Sequence, residues 1–194
     1  MKYYYSRGAC SLSGHAALLE AGIPFEIESV DLKTKSTESG ADFLTINAKG
    51  YVPAMVLDGG ETVTENVAVL DWIATQNPAV GLKGDTGRTR LLVALAYVST
   101  EVHKNFEPVF HGVDEITRQK AGKVVSRRLQ LLSDQMTGDY LFGDDPTVAD
   151  FYLFVMTLWA DKFAVAVPEP LVALRQKMMA RPSVQAAFRA ERII

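Results

Sequence analysis

The chain has 194 residues, with 20 Lys and Arg against 23 Asp and Glu and a formal net charge of -3. That balance argues against a surface built to grip nucleic acid or an anionic membrane, and 48% apolar residues exclude a disordered chain. One cysteine, Cys10, leaves no partner for an internal disulfide and points to a reducing compartment.

The longest uncharged apolar run covers residues 151–160, short of the roughly 20 residues that cross a bilayer. Met1-Lys2-Tyr3-Tyr4-Tyr5 carries no apolar leader segment. The expectation is a cytoplasmic protein without membrane or nucleic-acid partners.

Residues 2–5 form an aromatic β-type run, broken by Arg7-Gly8. Ser11 or Ser13 opens a helix through Ala16, Ala17, Leu18, Leu19 and Ala21, and Gly22 ends it. Residues 25–31 alternate apolar and acidic positions as a second strand. These pieces make one βαβ unit, which implies parallel strands and a right-handed crossover. Residues 33–40 are polar and read as loop, and 41–46 as a short helix.

The organising stretch follows. Met55-Val56-Leu57 is a short buried strand, Asp58-Gly59-Gly60 a hairpin turn, and Thr64 or Asn66 the cap of a helix carrying Val67, Leu70, Ile73 and Ala74. Pro53 lacks an N–H and belongs at the mouth of its strand, which frees the N–H and C=O of Val52 for an added extended peptide. Glu65 and Asn66 stand at a helix N-terminus, where backbone N–H groups attract a carboxylate and the Glu65 side chain an ammonium. Pattern alone leaves open an ordinary hairpin with a polar turn.

Residues 77–87 hold one Pro and three Gly beyond Asn77 and read as a linker. Beyond it helical periods take over: 88–110 with Leu91, Leu92, Leu95, Val98, Val102 and Phe106; 116–136 with Arg127 and Arg128 on the wet face; then 147–165, 168–180 and 183–189. Thr147-Val148-Ala149-Asp150 reads as a capping box. The layout is α/β plus all-α: an N-terminal domain, βαβ–α–ββα with a mixed sheet, over residues 1–78, and an all-helical bundle over 87–194.

Cys10 is the sharpest candidate for chemistry. It stands at the start of the first helix, where free N–H groups are expected to lower a thiol pKa; the alternative is a small buried hydrophobe. His103 shares a helical stripe with Ala96, Thr100 and Glu107, distinct from the apolar face. Such a stripe lines a cleft between domains, or else is a wet surface. His15 and His111 show no partner pattern and read as structural. Lys33 and Lys35 sit in the polar loop, free to meet a carboxylate or only water. Three scattered histidines and one cysteine make no metal-ligand spacing.

Tyr4-Tyr5-Ser6-Arg7-Gly8-Ala9-Cys10-Ser11-Leu12-Ser13, Asp31-Leu32-Lys33-Thr34-Lys35, Gly50-Tyr51-Val52-Pro53-Ala54, Thr64-Glu65-Asn66-Val67-Ala68, Glu101-Val102-His103-Lys104 and Thr147-Val148-Ala149-Asp150 keep the order and spacing of one family along the whole chain. Together they resemble the bacterial beta-class glutathione S-transferases. The resemblance implies a thioredoxin-like N-terminal domain, a homodimer, a cis Val52-Pro53 bond, and glutathione paired to Val52 as a pseudo-strand. It implies that Glu65 and Asn66 hold the γ-glutamyl end, and that Lys35 and Tyr51 lie near the glycyl end and peptide backbone. Ala9 and Pro53 flank the same site. Cys10 faces the glutathione sulfur, with His103 and Thr100 approaching from the helical domain. Arg7, Gly14 and Ala48 depart from the family, which often has proline there; Asn66 stands where glycine or serine is common, and Ala96 where close relatives often have asparagine.

The function so implied is conjugation of the glutathione thiol to small apolar electrophiles, resting between the domains against Phe106, Phe110, Tyr152 and Trp159. Glutathione is the co-substrate, and no metal is called for. Thiol–disulfide exchange or reductive dehalogenation through Cys10 is the second reading, and a non-catalytic glutathione-binding or interaction module the third.

Overall fold

The computed structural model describes residues 1–194. A five-stranded mixed sheet in the order β3-β2-β1-β4-β5 comprises β1 (Lys2–Tyr5), β2 (Glu26–Asp31), β3 (Ser36–Thr37), β4 (Ala54–Val56) and β5 (Thr62–Thr64). β1 and β2 are parallel, Tyr3 opposite Ile27; β1 and β4 are antiparallel, Tyr3 opposite Met55. The expected βαβ unit and hairpin are thus present. The polar segment read as loop contains β3, whose two residues pair antiparallel to Val30 and Asp31 at the sheet edge. A two-residue strand leaves no periodicity to read. The short helix expected over 41–46 is a single 3-10 turn, Phe43–Thr45, capped by Asp42.

α1 (Leu12–Glu20) ends as expected at Gly22, which takes φ 64° while the N–H groups of Gly22 and Ile23 return to Leu19 and Leu18. Ser11 stands at its N-cap position but makes no side-chain cap; its hydroxyl bonds the backbone of Ser6. Gly14 is explained by contact: a Cβ there would fall 2.4 Å from the Tyr3 hydroxyl, which donates to the Ser11 carbonyl. α2 (Asn66–Gln76) is capped by neither Thr64 nor Asn66. Glu65 takes the N-cap position without a side-chain cap, and Asn66 is already helical.

The helical half comprises α3 (Gly87–Tyr97), α4 (Glu107–His111), α5 (Glu115–Asp134), α6 (Val148–Lys162), α7 (Glu169–Met179) and α8 (Pro182–Ala190). The span read as one helix over 88–110 is continuous but not uniform. After α3 it widens into a π-helical turn, Val98–His103, then tightens into a 3-10 turn, Lys104–Phe106, before α4. Such widenings gather at functional sites, and this one carries Thr100 and His103.

One apolar core runs through both halves: Tyr3, Leu18, Met55 and Ile73 from the first, Leu95, Phe106, Phe151 and Phe154 from the second. Tyr4, Val30, Phe43, Val52 and Ala54 pack on the opposite face of the sheet, as strand alternation requires. Arg181 and Ser183 both donate to Glu20, fastening the start of α8 to α1. No helix is long and apolar enough to cross a membrane.

α6 starts on a fully buried carboxylate. Asp150 accepts from the Thr147 N–H and hydroxyl, each at 2.8 Å, and from the Leu141 N–H at 2.8 Å. Its truncation orphans three buried donors. We expect Asp150→Ala to lower unfolding free energy by about 2–4 kcal/mol, read as a fall in the urea midpoint. An unchanged midpoint would exclude the cap as the anchor of α6.

Candidate functional site

The turn between β1 and α1 brings Gly8, Ala9 and Cys10 to the junction of the two halves. Gly8 adopts φ 64°, and both its backbone groups are held from the helical side. Its N–H donates to Glu191 at 3.0 Å, and the Trp159 Nε1–H donates to its carbonyl at 3.0 Å. The other Glu191 oxygen accepts from His15 Nδ1–H at 2.9 Å, with both residues 2% exposed. His15, read as structural with no partner, therefore has one 176 positions away.

Cys10 is 8% exposed, and its S–H donates to the Val52 carbonyl at 3.6 Å. The expectation of a depressed thiol pKa is overturned. Burial pushes the Cys10 thiol up to about 12, outweighing the backbone N–H groups of Ser11 and Cys10 itself. The sequence places the helix start correctly but does not show how little water reaches the sulfur.

β4 pairs with β1 through Val56, Met55 and Ala54 and stops at Pro53, which has no N–H to continue the ladder. The Val52-Pro53 bond is cis, as the resemblance implies. The flanking residues are internally satisfied: Tyr51 O accepts from the Asn47 side chain at 2.7 Å, and Gly50 O from Lys35 Nζ at 2.6 Å. Val52 is different. Its N–H donates to no protein group, and its carbonyl takes only the Cys10 thiol. Ala9 packs against the small apolar cluster that contains Val52.

Beyond Val52 lies a polar cluster. Glu65 holds φ 70°, ψ 124°, a backbone that costs a non-glycine residue on the order of 1–3 kcal/mol and recurs at ligand sites. Its carboxylate accepts from Lys49 Nζ and, at 2.8 Å, from the Tyr51 hydroxyl; these bonds hold its carboxyl below the usual range. Tyr51 is 44% exposed, a large ring open to solvent. Lys49, two residues before Tyr51, thus belongs to this cluster, although the sequence assigns it no role. Lys35, for which the sequence leaves open a carboxylate or only water, donates to the Gly50 carbonyl.

Asn66 does not point outward. Its side chain is buried and donates to Ser13 Oγ at 2.9 Å, while the Ser13 hydroxyl donates to the Cys10 carbonyl at 2.7 Å. Ser13, one turn beyond Cys10, was missed as part of the site.

From the helical side comes His103, half-buried, its Nδ1 2.6 Å from the Tyr152 hydroxyl. Burial lowers the His103 pKa while Glu107 raises it, and the first effect wins. Tyr152 is 1% exposed and Phe106 fully buried, so both back the cleft and neither forms its open wall. Phe110 and Trp159 are only partly buried; their rings meet at 5.0 Å, and Trp159 also stands 5.0 Å from His103. Phe163, missed in the sequence, extends this wall 4.9 Å from Phe110. Thr100 donates to the Ala96 carbonyl at 3.0 Å, its hydroxyl engaged within the π-helical turn. A cavity of about 960 Å³ lies between α5 and residues 163–166 and meets this wall at Phe163.

A free backbone edge beside a thiol, with a polar cluster and an aromatic wall nearby, sits where a thioredoxin-like domain meets a helical one. Residues 9–76 match the N-terminal domain of glutathione S-transferases and residues 93–182 their C-terminal domain. The chain is 36% identical to glutathione S-transferase GstA of Escherichia coli O157:H7 over 98% of both chains. Among solved structures, a bacterial transferase, BphK, in a ternary complex superposes with a TM-score of 0.92 at 39% identity, covering 98% of this chain and 99% of that one. A sphingomonad glutathione S-transferase complexed with glutathione superposes at 0.89, with 41% identity over 100% of both. The chain belongs to the glutathione S-transferase family.

The raised Cys10 pKa sets a sign. The unfolded thiol ionises near 9.0 and the folded one near 12, so this group's contribution to stability is fully present below the lower value and lost as pH rises towards the upper one. Alkylation of Cys10 by iodoacetamide should be slow at neutral pH and still climbing at pH ~10. A rate that levels off near neutrality would contradict the buried thiol.

Proposed function

We propose that the protein is a glutathione transferase that joins the glutathione thiol to small apolar electrophiles, working as a cytoplasmic homodimer. The observation that carries this reading is Val52, whose N–H is unpaired and whose carbonyl meets only the thiol of the one cysteine. Residues 1–78 bind the tripeptide and 87–194 supply the electrophile wall.

Glutathione would lie along Val52 as an added strand, exchanging hydrogen bonds with its N–H and C=O. Its α-amino group would meet Glu65 in place of Lys49, and its γ-glutamyl carboxylate the first N–H groups of α2. Tyr51, Lys35 and Ala9 would border the peptide backbone and glycyl end. The sulfur then reaches the space between Cys10 and His103.

In the reaction the glutathione thiol loses its proton to solvent, and the sulfur lone pair forms the C–S bond as the leaving group departs with its electron pair. A thiolate in this half-buried space needs donors. The Cys10 S–H, held protonated by its surroundings, and a ring N–H of His103 are the groups placed to supply them. Thr100 lies on the same turn. Phe110 and Trp159 offer the apolar face for the electrophile, with Phe106 and Tyr152 behind them. The buried, protonated thiol favours conjugation over exchange chemistry, which needs a Cys10 thiolate.

Conjugation rates of Cys10→Ala and His103→Ala separate the roles. We expect the first to retain conjugation within about tenfold, consistent with loss of one hydrogen bond, and the second to lose more than tenfold in kcat/KM. Abolition of conjugation in Cys10→Ala would replace this reading with covalent chemistry at Cys10.

A further inference from the structure

We propose that Tyr152 is a positioning residue: its hydroxyl donates to His103 Nδ1 and so fixes the imidazole in the Nε2–H form, with that N–H offered to the cleft. The inference rests on the transferase reading for its catalytic consequence, but not for its geometry.

The 2.6 Å contact between the Tyr152 hydroxyl and Nδ1 joins α6 to the π-helical turn. One of the two groups must donate. Tyr152 lies 1% exposed, and burial with the nearby Cys10 raises its phenol pKa, so the hydroxyl keeps its proton. Burial also lowers the His103 pKa, favouring the neutral ring. A protonated phenol against a neutral imidazole has one satisfactory arrangement here: O–H donates, Nδ1 accepts, and the remaining ring proton sits on Nε2. Nε2 has no protein partner and is not sealed from solvent.

The Tyr152 hydroxyl has no other hydrogen-bond partner in the protein, so its proton has nowhere else to go. Asn66 bonds Ser13, and Ser13 the Cys10 carbonyl. These bonds tie the Cys10 turn to the start of α2. The titratable groups facing the pair are Glu107, one turn beyond His103, with Cys10 and Glu65 across the cleft. None of them accepts from or donates to Nδ1, so the phenol alone sets the tautomer.

The test is Tyr152→Phe, read by ¹⁵N-edited NMR of the His103 ring at neutral pH without substrate, and by the pH profile of conjugation. We expect the native ring to be a single Nε2–H tautomer. In the variant it becomes a mixture of both tautomers with a higher pKa. Conjugation kcat should fall about tenfold, with the KM for glutathione unchanged and the profile shifted to higher pH. Thermal melting reports any loss of fold. A native Nδ1–H tautomer, or an unchanged His103 spectrum in a folded Tyr152→Phe, overturns the proposal. Because the NMR readout needs no turnover, absence of conjugation in the native protein would refute the transferase reading and leave this inference standing or falling on its own.

Discussion

A single residue whose main chain the sheet cannot use organises the protein. The β1–β4 ladder ends at Ala54 because the next residue is Pro53. Val52 is therefore left with a free N–H and with a carbonyl that meets only a sulfur. Buried backbone groups ordinarily find partners, so an edge of this kind, with Val52 itself 5% exposed, is suited to a peptide that brings its own. The polar cluster at Glu65 and the buried thiol of Cys10 lie at the two ends of what such a peptide would span.

The helical half builds the second side and also holds the first in place. Glu191 and Trp159 grip both backbone groups of Gly8, and His15 ties Glu191 back into α1. The turn carrying Cys10 therefore has its position set by residues more than a hundred positions away. Fold stability and site geometry share these contacts, so a substitution at Glu191 would register in both.

Much of this is legible in the sequence where the signal is local. Gly22 after an apolar helix, Asp58-Gly59-Gly60 between two short strands, and Thr147 three residues before Asp150 each name a backbone event within a few residues. Pro53 next to Val52 is of the same kind. What stays hidden depends on partners far along the chain. The burial that raises the Cys10 pKa is a property of the assembled halves. So are the inward turn of Asn66 towards Ser13 and the pairing of His15 with Glu191. The π-helical turn at His103 has no mark of its own, because apolar spacing before and after it still fits one helix. Tyr152 enters the sequence reading only as an aromatic of the implied electrophile pocket; its hydroxyl, 2.6 Å from His103, has no mark in the sequence.

The most direct test of the central claim is amide hydrogen exchange at Val52, measured with and without saturating glutathione under reducing conditions. An added strand gives this N–H an acceptor it lacks in the free protein, so its exchange should slow by at least about tenfold while the already bonded amides of β4 change little. Glutathione that stabilises the protein yet leaves Val52 exchange unaltered would mean that the ligand binds elsewhere, and that the open edge is not what holds it.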